Sequence, residues 1–186
     1  VLFFGRLARE EGLGDALAAL GQVARAGRAF ELRVLGSGNL AHARTLAEQH
    51  GLAQRVTFLP HQGDAKLCEE LARAQLALLP SHSESFGLSI AEAQAAGLPV
   101  VAYAAGSVPE VVEDGQSAWL APLHDVDALA RALTNAMADP DECHRRGLHG
   151  RARVARLFRW DQTARRVLDG LRELGSAHDR LDATAA

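Results

Sequence analysis

The chain has 186 residues, 48% of them hydrophobic and 23% charged, with a formal net charge of −3. That length suits one domain with a full core, and the composition is that of an ordinary globular protein rather than a disordered or fibrous one. The charge supplies no bulk basic field that would draw the chain to nucleic acid or anionic membrane, and no apolar run approaches the roughly 18 residues of a membrane-spanning helix.

Short apolar runs alternate with helical periodicity along the whole sequence. Residues 1–4 (VLFF) read as a buried strand with no lead-in, cap or turn before it, so the chain is expected to be part of a longer one whose earlier portion is missing. Leu13, Leu17, Leu20 and Ala24 then recur at helical spacing. Residues 32–35 read as a strand, about 40–51 as a helix, and 56–59 as a strand ended by Pro60. Asp64 is expected to cap a helix reaching Ala74. A fourth strand over 76–79 leads to a helix over 86–96, closed by Gly97, and a fifth strand over 99–103. Ser107, Val108, Pro109 and Glu110 have the pattern of a capping box with Pro in the first turn. A short sixth strand over 117–120 precedes an amphipathic helix marked by Val126, Leu129, Leu133 and Met137. Two further helices follow, about 142–157 and 161–174. The last carries an apolar stripe of Trp160, Val167, Leu168, Leu171 and Leu174, suited to pack on this domain or to cross to the missing one. Residues 176–186 are small and polar and are expected to form a disordered tail.

Strands alternating with helices imply βαβ units and a mainly parallel sheet with right-handed crossovers. The expected fold is α/β: a Rossmann-like, doubly wound parallel sheet of about six strands over residues 1–175, with helices on both faces.

The stretch from Leu79 to Glu110 is the richest in chemistry. Its order of strand, polar loop, helix and strand places Glu84 and the Phe86-Gly87 pair where parallel α/β sheets bind ligands, beyond a strand's carboxyl end and at a helix N-terminus. Glu84 and Glu92 lie eight positions apart. A helix rises about 12 Å over that interval, whereas glycosidase carboxyl pairs are about 5–9.5 Å apart, so a hydrolytic pair is disfavoured. The preferred reading has each carboxylate accepting hydrogen bonds from hydroxyls of one extended ligand. Phe86, Gly87 and Leu88 would present first-turn N–H groups to an anion between them. From spacing alone, a surface helix residue is the better reading of Glu92.

Gly5-Arg6-Leu7 follows the first strand, where glycine lets the backbone approach a ligand and the guanidinium fork suits phosphate oxygens. Gly36-Ser37-Gly38-Asn39-Leu40-Ala41 matches G-x-G-x-x-A, the dinucleotide fingerprint, but the third strand ends in Leu59-Pro60 without the acid that fingerprint needs. A tight glycine turn near a ligand is the simpler reading. Ala105-Gly106-Ser107 opens a capped turn whose N–H groups suit a polar ligand portion or a plain helix cap. The two cysteines, Cys68 and Cys143, match no metal spacing and read as reduced, partly buried thiols of a cytosolic protein. None of the eight histidines forms an HxxxH or HExxH pair, and all read as surface or core residues.

Taken together, FFGRL, LRVLGSG, VTFLP, LALLPSHSESFGLSIAEAQAAGLPVVA and GSVPEVVEDGQSAWL resemble, in this order, the retaining nucleotide-sugar glycosyltransferases of family 4, which have the GT-B fold. The resemblance covers residues 1 to about 174 and corresponds to the C-terminal, donor-binding domain. Phe158-Arg159-Trp160 resembles the family's aromatic pair before the last helix. The resemblance implies transfer of a glycosyl group from a nucleotide-diphosphate sugar, such as a UDP- or GDP-sugar, with retention and without a metal or other cofactor. It implies Arg6 and Glu84 as catalytic residues: Arg6 on the donor diphosphate, Glu84 on hydroxyls of the transferred sugar. Ser85, Phe86, Gly87 and Leu88 would bind sugar and phosphate through their backbone, Glu92 the ribose, and Gly5 and Gly36 would leave room for the nucleotide. The protein would be cytoplasmic, with no nucleic-acid partner, and any membrane association would run through the missing acceptor domain.

Where the family carries Lys before a glycine, this chain has Glu11 before Gly12, a carboxylate that would repel a diphosphate. Another cation such as Arg9 or Lys66 would have to substitute, or activity would be reduced or absent. Ser85 and Ser107 replace two glycines of the family pattern, and Pro60-His61 replaces a third. Two alternatives stay open: a nucleotide-sugar binding module without turnover, motivated by Glu11, and, more remotely, a dinucleotide-dependent oxidoreductase domain.

Overall fold

The six apolar runs form one parallel sheet in the computed structural model, which describes residues 1–60 and 63–184, the last of these, 175–184, as backbone alone. The strands are β1 (Leu2–Leu7), β2 (Leu32–Gly38), β3 (Val56–Pro60), β4 (Ala77–Leu78), β5 (Val100–Tyr103) and β6 (Ala118–Ala121). Their order is β3-β2-β1-β4-β5-β6, and each pairing is parallel. The chain winds outward from β1 to β3, then returns to the other side of β1. The reversal falls between β1 and β4, and in such sheets the crevice beyond the strands' carboxyl ends at that point is the ligand site.

Helices α1 (Leu13–Arg25), α2 (Leu40–Gln49), α3 (Asp64–Arg73), α4 (Leu88–Ala95), the short α5 (Val108–Val111) and α6 (Val126–Ala138) connect the strands. The periodic leucines do what their spacing predicts. Leu17 and Leu20 of α1 and Leu129 and Leu133 of α6 are fully buried in one core with Phe3, Leu32 and Tyr103, each such side chain contributing about 1.5–3 kcal/mol of transfer free energy. Gly97 ends α4 as expected: its N–H donates to Gln94 O and that of Leu98 to Ala93 O, with Gly97 at φ 82°.

Several boundaries differ from the sequence reading. β1 and β2 run on through Gly5-Arg6-Leu7 and Gly36-Ser37-Gly38, because those residues pair with each other in register. The Gly-Ser-Gly segment is therefore strand, and Asn39 caps α2 by accepting from the His42 N–H at 3.0 Å. Asp64 is the first residue of α3, whose N-cap is Gly63. The expected change at His61 lies outside the described residues. Cys143 is buried, but Cys68 is exposed.

Helix α7 (Pro140–Leu157) contains the boundary between two compact units, Val1–Ala152 and Arg153–Ala186. The second unit holds α8 (Trp160–Thr184). Its stripe of Trp160, Val167, Leu168, Leu171 and Leu174 is exposed. The backbone of this helix runs on past Leu174 to Thr184, over most of the stretch expected from sequence to be a tail.

One buried charge cluster makes stability pH-dependent. The Glu70 side chain is inaccessible to solvent, hydrogen-bonded by Arg33 Nε and, at 2.9 Å, by Arg33 Nη2, with Lys66 Nζ 3.4 Å away. The hydrogen bonds from Arg33 hold its carboxyl below the usual glutamate range against the opposing effect of burial. A depressed folded-state value stabilises the protein above the unfolded glutamate value of about 4.3, and that contribution is lost as pH falls through the lower, folded value. Arg33→Ala leaves Glu70 with Lys66 alone and should cost about 2 kcal/mol at pH 7. The loss should shrink toward pH 3 in urea titrations; an equal loss at both pH values would remove Glu70 from the acid limb.

Candidate active site

Four loops meet at the carboxyl ends of β1 and β4. Gly5 and Arg6 stand on β1 opposite Gly36 and Ser37 of β2. An ideal Cβ on Gly36 would lie 2.1 Å from Gly5 O, so glycine here permits the close approach of the two strands. The loop after β1 makes a 3-10 turn (Arg9–Glu11) and enters α1 through Gly12, at φ 77°. It is laced to the loop after β4 by the His82 N–H, which donates to Glu10 O at 2.7 Å.

Arg6 is two-thirds exposed and already engaged. Its Nε donates to Glu11 Oε1 at 2.9 Å, its Nη2 lies 2.7 Å from the same oxygen, and Glu10 is 3.7 Å away. The bond to Glu11 chiefly, and more weakly the charges of Glu10 and Glu84, raise the guanidinium's affinity for its proton. Arg6 and Glu84 thus share one electrostatic neighbourhood at the point where the strand order reverses. Of the two substitute cations, Lys66 is held by Glu69 at 2.8 Å and by Glu70. Arg9 is exposed and lines a cavity of about 510 Å³ with Asn39, His42, His82 and His124.

The backbone at Glu84 is gripped from across the edge. Its carbonyl accepts the Ser107 N–H at 3.1 Å and the Ser107 hydroxyl at 3.3 Å. Gly106, at φ 53°, is forced by the same contact, since a Cβ there would sit 2.1 Å from Glu84 O. The Ser107 hydroxyl therefore does not cap α5, and the expected capping box is absent. Gly87, at φ 85°, is the N-cap of α4, so Phe86 and Gly87 precede the first turn. The N–H groups that open the helix belong to Leu88, Ser89 and Ile90, not to Phe86 and Gly87. Ser85, Phe86 and Leu88 are exposed at the mouth. Glu92, on the second turn, is half-buried rather than a surface residue. Burial first, and the nearby charge of Asp64 second, push its carboxyl above the ordinary range. Such a carboxylate gains from donors such as ligand hydroxyls.

A second constellation escaped the sequence reading, which assigned no metal and took the histidines as surface or core residues. His82 Nε2 lies 3.0 Å from Asp15 Oδ2, and the buried Tyr103 hydroxyl donates to the same oxygen at 3.0 Å. The exposed His124 packs edge-on against His82, ring centroids 4.5 Å apart. Burial, then the hydrogen bond to Asp15, raises the Tyr103 phenol well above its ordinary range. These residues come from α1, the loop after β4, β5 and the turn after β6, too far apart in sequence to form a motif.

A family model described as glycosyl transferases group 1 matches residues 1–153. The chain is 35% identical over 165 residues to a glycogen synthase of Mycobacterium tuberculosis (strain CDC 1551 / Oshkosh), covering 88% of this chain and 40% of that protein. It is 44% identical over 135 residues to a D-inositol 3-phosphate glycosyltransferase of Mycolicibacterium gilvum (strain PYR-GCK), covering 71% and 28%. The structure of a sucrose-phosphate synthase from Thermosynechococcus elongatus superposes with a TM-score of 0.83 at 31% identity, over 95% of this chain and 45% of that one. The chain thus spans less than half the length of each. Matched over its whole sheet unit, it belongs to the glycosyl transferases group 1 family.

Proposed function

We propose that this chain is the C-terminal, donor-binding part of a cytoplasmic family 4 glycosyltransferase of the GT-B type. It transfers a sugar from a nucleoside-diphosphate sugar to an acceptor held by another domain, with retained anomeric configuration and no metal in the transfer step. The observation that carries this reading is the convergence of Arg6 and Glu84 where β1 and β4 diverge, within each other's electrostatic reach. Arg6 neutralises charge on the departing diphosphate, which is electrostatic catalysis. Glu84, its backbone fixed by Ser107, accepts hydrogen bonds from the transferred sugar's hydroxyls. The opening N–H groups of α4 face phosphate oxygens, and the half-buried Glu92 accepts from the ribose. As a donor-binding part, the chain alone binds donor weakly and transfers nothing.

Calorimetric titration with UDP, GDP, ADP and their glucose and mannose derivatives tests this. One nucleotide sugar should bind, and both Arg6→Ala and Glu84→Ala should weaken it at least about tenfold. Binding unchanged in both variants would remove the two residues from the site, and transfer by the isolated chain would refute its dependence on an acceptor domain.

A second reading, a donor-binding module without turnover, is favoured by one specific contact, the pairing of Glu11 with Arg6.

A further inference from the structure

We propose that Asp15, His82 and His124 form a binding site for a divalent transition metal, zinc foremost, which clamps the loop carrying Glu84 to α1. One carboxylate oxygen and two imidazole nitrogens lie within 4.8 Å of one another. Zinc bonds of about 2.0–2.2 Å place the ligand atoms of a tetrahedral site about 3.3 Å apart, so the cluster needs only a small inward turn of the exposed His124. Two imidazoles with one carboxylate form a donor set suited to zinc, whereas magnesium and calcium select oxygen donors.

Each ligand is held by the fold. The Tyr103 hydroxyl, on a fully buried ring, orients the Asp15 carboxylate, the outer-shell support that metal-bound carboxylates receive. The His82 backbone is tied to Glu10 O. His124 sits at φ 64°, alone among the non-glycine residues described in having positive φ. A glycine would occupy that conformation freely, yet the position carries an imidazole. All three residues line the 510 Å³ cavity, which leaves room for water as a further ligand. The metal joins α1, the loop after β4 and the turn before α6. It takes no part in sugar transfer, and this inference stands whatever the donor.

The test uses the full chain, freed of metal by chelator and dialysis, and titrated with Zn2+ by calorimetry and with Co2+ by absorption. One equivalent should bind, Co2+ should show the intense visible bands of a low-coordinate site, and Zn2+ should raise the unfolding temperature. His124→Gly suits the backbone at that position and keeps the fold, yet should weaken Zn2+ binding at least about 100-fold and abolish the thermal shift. His82→Gln should do the same, and Tyr103→Phe should weaken binding about 10-fold or more. Cys68→Ser, which removes the exposed thiol, should change nothing. Failure of the wild-type chain to bind Zn2+, or binding by His124→Gly equal to wild type, overturns the proposal.

Discussion

Glu11→Lys is expected to raise the affinity of this chain for a nucleoside diphosphate by about 10- to 100-fold. In the structure Glu11 holds Arg6 at 2.7–2.9 Å, so a diphosphate bound as proposed would displace one carboxylate and sit beside its charge. Lysine reverses both effects: it frees the guanidinium and adds a cation beside the phosphates. A charge reversal a few ångströms from a phosphate is worth about one to two decades in affinity after screening by salt. Glu11→Gln removes the repulsion without adding a cation and should fall between wild type and lysine. Calorimetry with UDP, GDP and ADP at low and high salt makes the comparison, and the gain should shrink as salt rises. If neither substitution improves binding of any nucleotide at either salt, Glu11 is no brake on the site. A gain in binding without transfer, even in a longer chain that includes an acceptor domain, would favour the module without turnover.

The largest expected loss of stability comes from one methyl group. Gly12→Ala introduces a Cβ only 1.9 Å from the backbone oxygen of Pro80, at φ 77°. The left-handed conformation costs alanine about 1 kcal/mol, and an overlap with backbone that cannot rotate away adds about 2–3 kcal/mol more. Gly27→Ala is the matched control, because Gly27 has nearly the same φ, 79°, and nothing within 4 Å of its Cβ position. For a chain of this size the unfolding temperature should drop by about 10 °C in Gly12→Ala and by about 3 °C in Gly27→Ala. Equal drops would mean that the β1 and β4 loops do not press together as the structure has them. Gly12→Ala should also weaken donor binding, since the same loop carries Glu10 and Glu11.

The sequence announces this fold through particular residues. Leu13, Leu17 and Leu20 mark α1, and Leu129 and Leu133 mark α6, because burial of one stripe demands helical spacing. The Gly97 stop is legible because a left-handed turn demands glycine. Strand ends are less legible: Gly5-Arg6-Leu7 and Gly36-Ser37-Gly38 look like loops, and only the ladder between them makes them strand. The cap at Ser107 misleads for a related reason, since its hydroxyl finds the Glu84 carbonyl, which no local pattern records. At the candidate site, the place of Glu84 after β4 is legible, but the capture of Arg6 by Glu11 requires the turn between them. The Asp15, His82 and His124 cluster is invisible in sequence, because the start of α1, the loop after β4 and the turn after β6 bring it together.

The central place of β1 constrains how the molecule is made. A ribosome delivers β1, β2 and β3 first, and these three can pair as they emerge. The far edge of β1 then waits for β4, since Leu2 pairs with Ala77 and its N–H donates to Leu76 O. The apolar face of α1 waits longer still, for α6, which packs against it and begins only at Val126. Throughout that interval a nascent chain carries an open strand edge and an uncovered leucine stripe, both of which invite association with other chains. Within this unit the earliest helix is thus covered by one of the later ones, which ties the stability of its first half to the arrival of its second.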